Sequence, residues 1–259
     1  MDKSSAWFIN PYVSDAYMVF HKMARLSPSP RLRILRRPPS VRRRGAFGAC
    51  AIQGGTRSVG RTFLRSQRGT LYPGLSAGVE VLELGASLGI VSSIILGRQP
   101  SRLISYEAVG PLTEVARQVV ARNHPSATWE LVHCAIAAEG IDEVSFDWSP
   151  EYTQGGTVAD ESAKSLIRVP AVSLAGAIAR HRLPVTAWLV MDIEGMEWEL
   201  AQHQAEALRH FDGIIVECHQ VRSGGRIVLH TEVLAEILKA GFKVVARRGQ
   251  VSVLRRHSA

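Results

Sequence analysis

The chain has 259 residues, 46% of them hydrophobic and 21% charged, which suits one α/β domain with a sizeable core plus an extension. Its net charge of +8 sits at one end: residues 1–47 hold ten basic and two acidic side chains, leaving 21 of each sign for the rest. That neutral remainder gives no ground for a nucleic-acid-binding body, no run of 18 apolar residues suggests a membrane span, and Cys50, Cys134 and Cys218 have neither disulfide-framework nor metal-site spacing.

Residues 12–26 are patterned for a helix, with Ser14 as its cap and Tyr17, Phe20 and Ala24 on one side. Residues 27–44 follow, with Pro28, Pro30, Pro38 and Pro39 among clustered arginines. Prolines this dense exclude a stable helix, and like charges repel. We read residues 1–44 as a basic extension and residues 45–259 as the folded domain. The arm lacks interleaved aromatics for stacking on bases, so a loose arm is preferred to a tether for RNA or an anionic membrane. A cleaved arginine-rich presequence is a third reading. No apolar signal segment follows the start, and unpaired cysteines suit a reducing compartment, so a cytoplasmic location is expected.

Residues 46–52 and 59–64 flank Gly54-Gly55 as a hairpin, and Tyr72-Pro73-Gly74 is a turn. Residues 79–93 then organise everything after them. Val79, Val81, Leu82 and Leu84 make a short buried strand. Gly85 permits a sharp turn, Gly89 permits close packing of a helix on its strand, and Ile90, Val91, Ile94 and Ile95 form a helical stripe. The pattern is Glu-x-Gly-x-x-x-Gly rather than the Gly-x-Gly-x-x-Gly that seats a pyrophosphate. Glu83 at the strand end suits a cationic or amine-bearing cofactor, which points to S-adenosylmethionine; a glycine turn that only packs a helix on a sheet is the equal alternative.

Further strands are expected at 102–107, 129–137, 143–146, 186–193 and 213–218, and helices at 112–123, from 174, at 196–208 and at 231–240. Residues 149–165 form a polar, glycine-containing loop, and 242–247 with 251–255 form a closing hairpin. Strands alternating with helices imply a doubly wound, mostly parallel Rossmann-like sheet with a C-terminal antiparallel hairpin.

In such sheets the ligand lies beyond the carboxyl ends of the strands, near the switch in strand order. Glu107 ends the second strand, 22 positions after Gly85, where a carboxylate can accept hydrogen bonds from ribose hydroxyls; a carboxylate at a helix N-terminus is the plainer reading. Ala135 and Ala137 either leave room for an adenine or pack in the core. Asp192 and Glu194 are placed on one face by strand alternation, and two carboxylates at an apolar strand mouth are costly unless paired, metal-bound or used. Glu197 and Glu199 are explained by the helix dipole. His219 is either a general base or a rim histidine, and His133 is structural.

The stretches Glu-Leu-Gly-Ala-Ser-Leu-Gly, Tyr-Glu, Val-His-Cys-Ala-Ile-Ala and above all Asp-Ile-Glu-Gly-Met-Glu resemble the FkbM family of S-adenosylmethionine-dependent methyltransferases, over about residues 45–256. The resemblance implies O-methylation of a hydroxyl on a sugar, polyketide or other small molecule. By that match Glu83, Gly85, Gly89 and Glu107 would hold the cofactor, and Asp192 and Glu194 would face the reacting centre. Taken with the strand-end residues above, the expected cofactor site is Glu83, Gly85, Ala86, Gly89, Glu107, Ala135 and Asp192, and the catalytic candidates are Asp192, Glu194 and His219. A divalent cation held by those groups is the alternative to a simple base. Two rivals are a nucleic-acid methyltransferase using the arginine arm and a non-catalytic nucleoside-binding protein.

Overall fold

The computed structural model describes residues 75–148, 157–158 and 166–257. The described residues all belong to one compact unit, Gly69–Trp148 with Gly155–Ala259. The helix expected at 12–26, the basic arm, the division at residue 44, the hairpin of residues 46–64, Cys50, the Tyr72 turn and most of the loop at 149–165 lie outside the described residues.

The elements run β1 (Glu80–Leu84), α1 (Ile90–Leu96), β2 (Arg102–Glu107), α2 (Gly110–Asn123), β3 (Trp129–His133), β4 (Ala135–Ile136), β5 (Glu143–Asp147), β6 (Thr157–Val158) and β7 (Leu166–Val172). They continue with α3 (Leu174–His181), β8 (Trp188–Met191), α4 (Met196–His203), α5 (Ala205–Arg209), β9 (Gly213–Glu217), β10 (Val221–Ser223), β11 (Arg226–Val228), α6 (His230–Lys239), β12 (Phe242–Arg248) and β13 (Val251–Arg256).

One sheet has the order β12-β13-β9-β8-β1-β2-β3. The five strands from β9 to β3 are parallel, and β13 joins β9 antiparallel as the inner strand of the terminal hairpin. This is the doubly wound Rossmann-like fold with a C-terminal antiparallel hairpin. From β1 the chain steps outward through β2 and β3, then returns to place β8 on the other side of β1. The switch in strand order therefore falls between β1 and β8, where crevices open in such sheets.

Alternation along the strands separates two buried layers. Leu82, Leu84, Ile104, Tyr106, Leu189, Met191, Ile214 and Val216 pack in one cluster with Leu174, Leu200, Leu208, Val233 and Ile237 of the helices α3 to α6. Truncating one such leucine to alanine costs ~2–5 kcal/mol. Glu83 and Ser105 point to the opposite face, where Ser92 of α1 meets them.

Four local expectations are corrected. The strand expected at 129–137 is two: β3 stays in the main sheet, while β4 pairs with β7 in a separate four-stranded sheet ordered β4-β7-β5-β6. The strand β7 and the β10–β11 hairpin carry no clear alternation of apolar residues and are absent from the expected elements. The helix expected at 196–208 breaks at Gln204, whose side chain turns inward to accept from the Leu174 N–H and donate to the Ala137 carbonyl, both at 2.8 Å. Gly89 does not pack α1 on its own strand: a Cβ there would stand 2.9 Å from Cα of Ala116 on α2, so the glycine sets the approach of α1 to α2.

Candidate active site

The first part of the site is the bend after β1. Gly85 has φ of +89° and Gly89 of +76°, in the left-handed region that glycine adopts without penalty. The N–H groups of Gly85 and Ala86 both donate to the Tyr106 carbonyl, at 2.9 and 3.1 Å. Ala86 is buried beneath the bend.

Glu107, at the end of β2, turns towards this bend. One carboxylate oxygen accepts from the Ser87 N–H and the other from the Val109 N–H, each at 2.7 Å. The second contact is the helix-start role, and the first ties the residue to the glycine loop. The Ala108 backbone N–H also acts on this carboxylate. Burial pushes the Glu107 carboxyl up, and its backbone hydrogen bonds pull the other way.

Glu83 sits deeper than a crevice-lining carboxylate. It is 1% exposed and accepts from the hydroxyls of Ser92 and Ser105 at 2.6 and 2.5 Å. Trp129 donates to Ser105 in turn. Its other oxygen, Oε1, is buried without a partner among the described residues. Burial pushes Glu83 up to about 7. As placed, it braces α1 against the sheet behind the bend. Ala135 is also enclosed: it packs with Phe146 and Val169 in a small cluster of the second sheet, which is the core-packing alternative. His133 hydrogen-bonds the Ala108 carbonyl at 3.0 Å.

The second part follows β8. The Asp192 N–H still donates to Leu84 of β1 at 3.0 Å, but the strand has ended at Met191. Alternation is therefore not what gathers the acids. Glu194, with φ of +51°, and Gly195, with φ of +106°, make a left-handed turn that reverses the chain into α4. Asp192 Oδ1 and Glu194 Oε2 each lie 3.7 Å from His219 Nε2. All three side chains are half-buried, with His219 at 18% exposure.

Glu197 is corrected outright. It is 0% exposed, and its carboxylate accepts from the N–H groups of Ile193 and Gly195, both at 2.9 Å, and from His219 Nδ1 at 3.1 Å. The helix dipole does not account for that burial. The missed signal was periodicity: Glu197 shares the inward stripe of α4 with Leu200 and Ala201. Glu199 matches its expectation better, being partly exposed beside His203.

Burial opposes the His219 imidazolium, but the Glu197 hydrogen bond and the charges of Glu197, Asp192 and Glu194 outweigh it and push the group up to about 10. His219 therefore stands charged at neutral pH. Desolvation raises Asp192 above the usual carboxylate range despite the His219 charge, and Glu194 is raised for the same reason. A group that can lose or gain a proton near neutrality thus lies at the end of β8, next to the glycine bend. The donor atoms of Asp192, Glu194 and His219 also lie within 4.8 Å of one another, a spread and donor set that fit one hard or borderline divalent cation.

Residues 108–244, more than half of the chain, match the FkbM methyltransferase domain. The chain belongs to the FkbM methyltransferase family. That match covers Asp192, Glu194, Glu197 and His219 together, and it makes this protein an enzyme that transfers methyl groups. No curated protein matches the methyltransferase in sequence.

Similar solved structures include a protein of the NADB-Rossmann superfamily from Streptococcus agalactiae, 11% identical over 70% of this chain and 64% of that one, with TM-score 0.38. A putative tRNA methyltransferase of Streptococcus pneumoniae in complex with S-adenosyl-L-methionine is 11% identical over 71% and 69%, with TM-score 0.40. Magnesium protoporphyrin IX methyltransferase from Synechocystis, with the same cofactor bound, is 11% identical over 70% and 71%, with TM-score 0.39. This FkbM methyltransferase spans about two thirds of the length of those chains. At such low identity the likeness says nothing of its acceptor.

Proposed function

We propose that the enzyme transfers the methyl group of S-adenosylmethionine to a hydroxyl of a small molecule or sugar. The observation that carries this is the meeting of Asp192 with Gly85 at the switch point, with Glu194 and Glu107 on the adjoining strand ends. Acid-lined walls favour a cation, which suits a sulfonium and an ammonium better than a diphosphate. Glu107, at the end of β2 and tied to the glycine loop through Ser87, is the group we assign to the ribose hydroxyls; Gly85, Ala86 and Gly89 shape the bend.

The donor supplies a methyl group on a positively charged sulfur, which leaves as a neutral thioether when the acceptor oxygen takes the methyl. The chain's own residues position the acceptor and remove its proton. Asp192 is the group we assign to that proton, because β8 lies directly beside β1 while His219 stands one strand further out. The proton passes from the hydroxyl to the Asp192 carboxylate. Before that transfer the His219 imidazolium balances the Asp192 and Glu194 carboxylates; after it, Glu194 alone remains charged opposite the ring.

A second reading is favoured by the 4.8 Å spread of donor atoms: a divalent cation on Asp192, Glu194 and His219 would acidify the hydroxyl. Chelator treatment followed by manganese separates it from the first. Among the described residues no helix is long and apolar enough to cross a membrane, and the two free buried cysteines, Cys134 and Cys218, support a reducing compartment such as the cytoplasm.

The test is an acceptor screen of sugars, phenols and aliphatic alcohols beside RNA and DNA, scored by release of S-adenosylhomocysteine. Turnover on a hydroxyl compound is the expected result. Turnover confined to nucleic acid, falling steeply with salt and lost without residues 1–44, contradicts it.

A further inference from the structure

We propose that Glu197 is the positioning residue of this active site: buried beneath it, the carboxylate fixes the Asp192–Gly195 turn and the His219 imidazole relative to one another without touching donor or acceptor. The proposal rests on the methyl-transfer reading above and deepens it.

A fully buried carboxylate is costly unless its acceptor sites are filled. At Glu197 three donors fill them. Oε1 accepts from the Ile193 N–H at 2.9 Å and from His219 Nδ1 at 3.1 Å, and Oε2 accepts from the Gly195 N–H at 2.9 Å. The first and third belong to the turn after β8, and the second to the end of β9, 22 residues further along the chain. One side chain therefore joins the two strand ends that supply the reacting groups.

The turn needs such a brace. Glu194 is a non-glycine residue at φ of +51°, a conformation that persists only where its surroundings impose it. The N–H groups on either side of Glu194, those of Ile193 and Gly195, are the two that Glu197 holds. The imidazole is fixed by the same atom set. With Nδ1 engaged by Glu197, Nε2 faces Asp192 and Glu194 at 3.7 Å each. Holding one ring nitrogen sets the orientation of the other. The helix dipole alone would be served as well by an exposed carboxylate, as Glu199 on the same helix shows.

The chemistry of the position is selective. All three partners are donors, so a glutamine, with one acceptor oxygen and one donor NH2, must set an N–H against an N–H. Glu197→Gln should therefore disturb the site although it keeps the shape.

The experiment is nitrogen-15 NMR of histidine-labelled full-length protein, without donor or acceptor, joined to a double-mutant cycle. Wild type should show the His219 Nδ1 proton strongly deshielded by its charge-assisted bond. In Glu197→Gln that signal should move upfield or vanish, while S-adenosylhomocysteine affinity stays within about threefold and turnover on the best acceptor of the screen falls about 10- to 100-fold, mainly in kcat. Glu197→Asp, which keeps the charge but draws it back by one methylene, is the second variant and should lose the signal in the same way. Glu199→Gln should change nothing. The turnover losses of Glu197→Gln and His219→Asn should be strongly non-additive in the double variant. An unmoved His219 signal in both Glu197 variants, or additive losses, overturns the proposal. Because the NMR signal needs neither donor nor acceptor, failure of the methyl-transfer reading leaves it readable.

Discussion

A Cβ on Gly85 would stand 1.9 Å from the carbonyl oxygen of Asp192. The bend after β1 and the residue that follows β8 are therefore in contact through backbone alone, and no side chain fits between them. With φ of +89° at Gly85, alanine there adds backbone strain of about 1–3 kcal/mol and must push the two strand ends apart. Gly85→Ala should lower the melting temperature by several degrees and weaken donor binding at least tenfold. Calorimetry of unfolding and of S-adenosylhomocysteine binding checks both; an alanine variant with unchanged donor affinity contradicts the contact.

Gly89 makes a different prediction, because its neighbour is on a helix. A Cβ would meet Cα of Ala116 at 2.9 Å, so Gly89→Ala should separate α1 from α2 and cost about 1–3 kcal/mol by overpacking and strain. A second change, Ala116→Gly, relieves the Cβ contact at 3.1 Å but not the backbone one, so it should rescue only part of the loss in denaturant melts.

Much of this was legible in the residues. The run from Val79 to Ser93 dictates strand, bend and helix because its buried positions and glycines leave few alternatives. Asp192 and Glu194 stood out as acids at an apolar strand mouth. The reason they converge was not legible, since it lies in a left-handed turn at Glu194 rather than in strand alternation. Ala135 could not be assigned from spacing, because the crossing from β3 to β4 moves it to another sheet and only tertiary pairing decides that. Glu197 was misjudged because a carboxylate near a helix start has a sufficient local explanation, and its inward phase with Leu200 went unused.

Glu83 gives stability a pH dependence. Its folded-state carboxyl is pushed up to about 7 by burial, against 4.5 unperturbed. Between those values the unfolded chain has released this proton while the folded chain retains it, so stability falls as pH rises through that window and levels off above about 7. Glu83→Gln carries no such proton. Plotted as mutant minus wild type, stability from urea melts should rise between pH 4.5 and 7 and then flatten. A flat difference across that range contradicts a buried, protonatable Glu83.

The acids at the crevice should separate by their effect on turnover. Asp192→Asn and Asp192→Ala should each lower kcat by about 10²–10⁴, the usual worth of general base catalysis, with donor affinity little changed. Glu194→Gln should cost less, because its charge supports His219 from the outer side. Single-turnover assays read these values. Wild-type rates in both Asp192→Ala and Glu194→Ala contradict the catalytic assignment.

The most direct measurement is calorimetric titration of the purified full-length protein with S-adenosylmethionine, S-adenosylhomocysteine and NAD, repeated on Glu107→Gln. The account predicts one site for each sulfur nucleoside, no heat with NAD, and at least tenfold weaker binding in the Glu107 variant. Binding of NAD alone, or sulfur-nucleoside affinity indifferent to Glu107, contradicts it.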